Sequence, residues 1–277
     1  MAMPRRLILV RHGESVGNQV HDMERRGYKD VYSAQFCEQP AHLWRLTERG
    51  VAQAKIAGQW LRENMDVGAI EGFFTSDYTR AKETAGHLGI PGALWKKHPY
   101  LHERSWGLLE NLSDEQKWES YEKDMQQREV NPFYWRPPRG ESMVNVLMRS
   151  DRVFGTLHRE YSESTVIMVE HGDVAMSQII LLEKMSAYRY EQLRRTKDSL
   201  DKINNCQIII YSRENPETGE LEPYLNWKFS ICPWNPELSR NIWQQIERPV
   251  FTNEELLADA ELSPLLVHSP CYQLALA

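Results

Sequence analysis

Three short stretches, far apart in the chain, carry side chains suited to handling a phosphoryl group. Arg11-His12-Gly13-Glu14 closes the β-rich run Arg6–Val10, Thr75-Ser76 is followed by Arg80, and His171-Gly172 closes a second β-rich run, Thr165–Val169. Two imidazoles and two guanidiniums in one pocket match phosphate chemistry: arginines clamp and neutralise the oxygens, and an imidazole lone pair can attack phosphorus. An attacking histidine must be unprotonated on one nitrogen. The flanking arginines should keep His12 neutral where an unperturbed imidazole, with a pKa of ~6.5, is partly charged. A single histidine would read as a hydrogen-bonded structural residue, so it is the set that points to chemistry.

Such a set needs a scaffold that brings strand ends together. In a parallel α/β sheet, ligands bind beyond the carboxyl ends of strands, where helix N-termini present unpaired N–H groups. The periodicity predicts this pattern. Thr47 can cap a helix that begins at Glu48 and has Val51, Ala54, Gly58 and Leu61 on one face. Gly72–Thr75 reads as a strand, with Ser76-Asp77 capping a helix through His87. Ser113 and Gln116 have the form of a capping box for a polar helix to about Arg128. Met143, Leu147, Phe154, Leu157 and Tyr161 fall at helical spacing with Ser150 at the missing step, and a further helix through Leu182 follows Gly172. Cys206–Ser212 and Tyr224–Ile231 flank Asn215-Pro216-Glu217-Thr218-Gly219 as a hairpin. The expected fold is a three-layer α/β sandwich: a mostly parallel central sheet flanked by helices, with an antiparallel edge hairpin. Residues 1–231 are expected to form the catalytic domain. Residues 232–277, with Pro233, Pro236, Pro249, Pro264 and Pro270, read as an irregular appendage with short helices on the same domain, suited to shielding the hairpin edge or to a homodimer contact.

Composition narrows the function classes. The 277 residues include 33 basic and 39 acidic side chains, a net charge of -6, with 41% hydrophobic residues. That acidic balance argues against a nucleic-acid partner, so any positive site must be local. Apolar runs such as Leu7–Val10 are too short for a membrane span or a signal peptide, and a cytoplasmic protein is expected. Cys37, Cys206, Cys232 and Cys271 form no C-x-x-C pair and read as small, partly buried thiols. Pro99 interrupts His98 and His102, so no metal site is assigned and no cofactor is expected.

Leu7-Ile8-Leu9-Val10-Arg11-His12-Gly13-Glu14-Ser15 resembles the signature of the histidine phosphatase superfamily, also called phosphoglycerate-mutase-like. Further stretches resemble the family in order: Asn18; Leu46-Thr47 with Gly50, Gln53 and Ala54; Thr75-Ser76 with Arg80-Ala81 and Thr84-Ala85; Gly140-Glu141-Ser142 with Arg149; and His171-Gly172. The resemblance spans about Arg5 to Ser212. It implies that His12 forms a phosphohistidine, that Arg11, Arg80 and His171 hold the phosphoryl oxygens with Asn18 and Gly172 in the same pocket, and that water releases phosphate without a metal. It also implies a carboxylic acid that protonates the leaving group, and Glu103 sits in a stretch similar to that position. Ser76, Arg104 and Arg139 are the candidates for contact with the rest of a phosphorylated small-molecule substrate. Gly13 is expected to let the backbone approach the phosphate closely. Glu170 departs from the family's usual small residue; strand alternation should turn it away from His171, toward a basic partner outside the site.

Three other readings compete. Gly13-Glu14-Ser15-Val16-Gly17 fits the nucleophile elbow G-x-S-x-G, but almost no chain precedes it to supply the oxyanion-hole loop. Phosphoglycerate-mutase-type transfer shares the first half-reaction, although Val16-Gly17 stands where mutases usually place an aromatic residue just before the equivalent of Asn18. A non-catalytic phospho-ligand-binding module is the third.

Overall fold

Leu7, Ile8, Leu9 and Val10 are apolar at every position, as a strand covered on both faces must be. The computed structural model describes residues 2–263. It places this run in strand β1 (Arg6–Arg11), at the centre of a sheet with β2 (Ile70–Thr75), β3 (Lys96–Lys97), β4 (Thr165–Glu170), β5 (Ile208–Ser212), β6 (Trp227–Ile231) and β7 (Trp243–Gln245). The spatial order is β3-β2-β4-β1-β5-β6-β7. β1 to β4 run parallel, and β5, β6 and β7 add an antiparallel edge.

Helices cover both faces. α3 (Glu48–Asn64) and α4 (Thr79–His87) bury Ala54, Ala57, Leu61, Ala81 and Ala85 against Ile8, Val10, Ile167 and Val169. On the opposite face α6 (Met143–Glu160) and α7 (Gly172–Glu183) pack Val146, Val153, Leu157, Val174 and Ile180 against Leu7, Leu9, Val166 and Met168. The alternation of β1 and β4 side chains between these two cores is the period of a strand. The outer helices are α1 (Val16–Arg25), α2 (Ala34–Glu38), α5 (Asp114–Val130) and α8 (Ala187–Arg195). The three-layer sandwich expected from the sequence is the fold.

The capping signals hold with one exception. Thr47 accepts a hydrogen bond from Gly50 N, and Ser113 and Gln116 form the expected capping box. α5 extends past Arg128 and breaks its helical geometry at Tyr121. Ser142, a cap the apolar spacing alone does not reveal, closes a box with Asn145 at the start of α6. The exception is α4, whose cap is Tyr78; Ser76 lies in the preceding turn, where its hydroxyl accepts from Tyr78 N.

β7 is a strand within the proline-rich stretch read as irregular. Its residues Trp243, Gln244 and Gln245 pair with Phe229, Lys228 and Trp227. One compact unit runs to Glu247 and a second starts at Arg248. The second contains α9 (Asn253–Glu261), opened by a capping box between Thr252 and Glu255. Cys206 and Cys232 are buried whereas Cys37 is exposed, which corrects the reading of Cys37. Cys271, Pro264 and Pro270 lie outside the described residues. Among the described residues, no helix is long and apolar enough to cross a membrane.

Candidate active site

Strand register brings the two histidines together. Arg11 pairs with Glu170 at the carboxyl ends of β1 and β4, so the next residues, His12 and His171, leave the sheet side by side. His12 N–H donates to Glu170 O at 2.9 Å, and Ser76 N–H donates to Val169 O at 2.9 Å, adding the end of β2 to the same edge. The imidazole centroids of His12 and His171 are 5.0 Å apart with their planes at 61°.

The loop after β1 is clamped from α3 and α4. Gly13 N–H donates to Thr84 Oγ1 and Glu14 N–H to Gln53 Oε1, while Ser15 caps α1 in a box with Asn18. A Cβ on Gly13 would lie 2.4 Å from Gly50 O, and one on Gly50 would lie 2.0 Å from Glu14 O. The backbone of α3 is therefore by itself a reason for glycine at position 13, beside the close approach of a phosphate expected there.

His12 Nδ1 lies 2.7 Å from Gly13 O, which places its proton on Nδ1 and leaves a lone pair on Nε2. Arg80 Nε donates to that Nε2 at 3.1 Å, and Arg80 Nη1 is fixed by Ala41 O at 2.7 Å. The Arg80 guanidinium also lies over the Tyr78 ring, 5.0 Å from its centroid. Burial, then the charges of Arg80 and Arg11, hold the His12 pKa well below the ordinary histidine value. Burial and Arg80 do the same to His171. Both rings are neutral at physiological pH. Ser76 Oγ accepts from Tyr78 N–H and lies 2.8 Å from His171 Nε2; if it also donates to that nitrogen, the His171 proton sits on Nδ1. Among the described residues, His171 Nδ1 and Arg11 Nε are buried with no hydrogen-bond partner, although Arg11 Nη1 donates to Ile203 O. Buried polar groups are ordinarily paired, so these orphans fit a polar ligand.

Glu103 closes the site from the third side. Its Oε2 accepts from Gly172 N at 3.1 Å and its Oε1 from Asp173 N at 3.3 Å and Arg104 N at 2.9 Å, at the N-terminus of α7. Burial raises its pKa, helped by Asp173 and opposed by Arg80. A Cβ on Gly172 would stand 3.6 Å from Arg11 Nε and 4.0 Å from Glu103 Oε2, so this glycine keeps the space between them open.

The structure thus gathers Arg11, His12, Ser76, Arg80, Glu103, His171 and Gly172. Asn18 borders the group: its Oδ1 accepts from Asn205 Nδ2 at 3.1 Å, and the same nitrogen donates to His12 O at 3.0 Å. Arg104 is turned elsewhere. Its Nε donates to Glu141 O and its Nη2 to Trp135 O, and its guanidinium lies against the rings of Trp106 and Trp135. Arg139 is exposed, at φ 61°, and no hydrogen bond or ion pair among the described residues links it to the histidines. Glu170 is fully buried on the α6/α7 side of the sheet, and its partner is the amide of Gln178, at 2.7 Å, where a basic residue was expected. Tyr78, Asn205 and the carbonyls of Ala41 and Ile203 escape sequence reasoning; no motif or spacing marks a carbonyl or a lone asparagine as part of a site. No group of three or more His, Cys, Asp and Glu suited to a metal ion occurs among the described residues.

A sequence profile of the histidine phosphatase superfamily (branch 1) matches residues 7–205. The chain belongs to that superfamily. It is 30% identical over 194 residues to a 2,3-bisphosphoglycerate-dependent phosphoglycerate mutase of Bradyrhizobium diazoefficiens, covering 66% of this chain and 83% of that protein. Its fold is similar to that of a mycobacterial glucosyl-3-phosphoglycerate phosphatase solved with VO3, with a TM-score of 0.57, 22% identity and coverage of 75% of this chain and 92% of that one. It also resembles a phosphoserine phosphatase of Entamoeba histolytica solved with 3-phosphoglyceric acid, with a TM-score of 0.55, 20% identity and coverage of 76% and 90%. Superfamily membership accounts for the order of strand-end residues from Arg11 to His171.

Proposed function

We propose that the protein is a phosphomonoester hydrolase that works through a phosphohistidine on His12. The observation that carries this reading is the His12 ring itself: neutral, protonated on Nδ1 by its bond to Gly13 O, and presenting Nε2 among Arg80, Arg11 and His171. Nε2 attacks phosphorus, the bond from phosphorus to the substrate oxygen breaks, and Glu103 gives that oxygen its proton. For this step Arg80 Nε leaves the imidazole for a phosphoryl oxygen. Arg11 Nε and His171 Nδ1, unpaired in the resting site, supply further donors to the equatorial oxygens. In the second step water attacks phosphorus, its proton passes to the Glu103 carboxylate, and the P–N bond breaks to restore neutral His12. Water serves as the acceptor and the guanidiniums supply the positive charge, so the reaction requires no metal.

Phosphoglycerate-mutase-type transfer remains the second reading, favoured by the names of the sequence relatives. Two features support hydrolysis over it. A side chain at position 17 would come within 2.2 Å of the Trp44 ring, so Trp44 occupies the space an aromatic residue there would need. Arg104, a candidate for holding a second anionic group, is committed to carbonyls and aromatic rings. The test is leaving-group dependence. Glu103→Gln should slow hydrolysis of alkyl phosphates on the order of 10²–10⁴-fold, the usual worth of a general acid, and that of p-nitrophenyl phosphate far less. Equal losses on both would remove Glu103 from this role. Quantitative phosphate release in the presence of 3-phosphoglycerate is expected; transfer to that acceptor would favour the mutase.

A further inference from the structure

Glu170 is the residue that family resemblance does not explain. It ends β4 on the same face as Val166 and Met168, so strand alternation drives its carboxyl into the layer between the sheet and the α6–α7 pair. Both Glu170 and Gln178 have no exposed surface. Gln178 Nε2 donates to Glu170 Oε2 at 2.7 Å, yet the other oxygens of the pair, Glu170 Oε1 and Gln178 Oε1, are each buried without a partner among the described residues. An ionised carboxylate would leave two acceptors facing no donor, and rotating the amide would only exchange one orphan for another. A single proton shared between Glu170 Oε1 and Gln178 Oε1 would satisfy both at once.

The surroundings favour that proton. On α6, Arg149 gives its Nε and Nη2 to Glu141 and its Nη1 to Tyr100 O, so its attraction for Glu170 is not backed by a hydrogen bond. Ser150 and Ser177 bond to each other, and Ser177 donates onward to Val174 O. From β1, Arg11 directs Nη1 to Ile203 O. Burial, against the Gln178 bond, pushes the Glu170 pKa well above the ordinary carboxylate value, and Glu103, from the loop before α5, adds to that whenever it is ionised.

We infer that Glu170 is held as the neutral carboxylic acid in a closed acid–amide pair with Gln178, and that this pair is a positioning device locking the end of β4 to α7. Its leverage comes from the backbone: Glu170 O accepts His12 N–H, His171 is the next residue, and the first two N–H groups of α7 hold Glu103. The protonation state concerns the resting protein; its effect on rate rests on the phosphohistidine reading.

Infrared spectroscopy of the full chain separates the two. Wild type at neutral pH should show a carboxylic-acid C=O band that disappears in Glu170→Gln and shifts to higher frequency in Gln178→Leu, which removes its hydrogen bonds. Absence of both changes would overturn the proposal and leave His12 chemistry untouched, pointing to an ionised Glu170 served by buried water. Should Glu170→Gln not fold, the Gln178→Leu shift alone decides. In turnover, Glu170→Gln should retain kcat/KM within a few-fold and lose any alkaline fall caused by ionising Glu170. Glu170→Ala should lose on the order of 10–10², the scale of a small displacement of catalytic groups. Equal losses in Glu170→Gln and Glu170→Ala would also overturn it.

Discussion

Arg80 and Arg104 are both buried, in walls of the same molecule, yet they do opposite things. Arg104 and Arg149 tie the segments around Tyr100, Trp135 and Glu141 together: their guanidinium N–H groups end on Glu141, Trp135 O and Tyr100 O. At the strand ends the arrangement is unfinished. Arg80 Nε rests on an imidazole nitrogen, and Arg11 Nε and His171 Nδ1 have no hydrogen-bond partner among the described residues. Residue type and burial do not separate scaffold from site; the pairing of each N–H does. The Arg104 and Arg149 guanidiniums are bonded to carbonyls and carboxylates of the scaffold, whereas Arg80 rests on an imidazole beside orphaned donors, an arrangement open to an anion.

Exchanging the roles experimentally breaks or sharpens that contrast. Arg80→Ala should cost on the order of 10²–10³ in kcat/KM, the worth of a preorganised charge at a developing oxyanion, with a stability loss of about 1 kcal/mol from the one carbonyl, Ala41 O, that it leaves unpaired. Arg104→Ala should instead destabilise the fold by about 3 kcal/mol, because Asp173, 3.8 Å away, and two carbonyls lose their partner. Kinetics and calorimetry on the two variants decide. If Arg104→Ala lowers kcat/KM at unchanged stability, the assignment of Arg104 to the scaffold fails.

The pH response should be smaller and have a definite sign. Because His12 and His171 are held below the ordinary histidine pKa, the folded site stays neutral where the unfolded chain takes up protons. Native stability therefore falls as pH drops through ~6.5, while the acid limb of kcat/KM lies below that value. In Arg80→Ala the limb should move part of the way back up, since burial is the larger cause and remains. An acid limb above ~6.5 in wild type would contradict a neutral His12. The smallest effect belongs to Arg139→Ala: exposed and not tied to the histidines, it should alter kcat/KM by less than about twofold, within the range of surface substitutions.

Much of this was legible in the sequence because it depends on local rules. Strands apolar at every position, caps at Thr47 and Ser113, and the polar residues closing β1, β2 and β4 predict both the sandwich and the meeting of His12 with His171. Side-chain destinations decided elsewhere were not legible. Arg104 looks as suited to substrate as Arg80 until the carbonyls of Trp135 and Glu141, from distant segments, claim it. Asn205 reaches the site only because the entry to β5 lies beside the loop after β1. β7 is hidden in a proline-rich stretch, since a three-residue edge strand has too little pattern to show. Glu170 was assigned a face by alternation, but an amide partner two turns into α7 is a tertiary fact.

The most direct measurement is rapid mixing with a phosphate monoester, quenching in alkali, and mapping of the phosphorylated residue. Wild type should carry an acid-labile phosphoryl group on His12, formed and lost at rates compatible with turnover, and His12→Ala should carry none. Turnover with no phosphoenzyme, or label on another residue, would contradict the account.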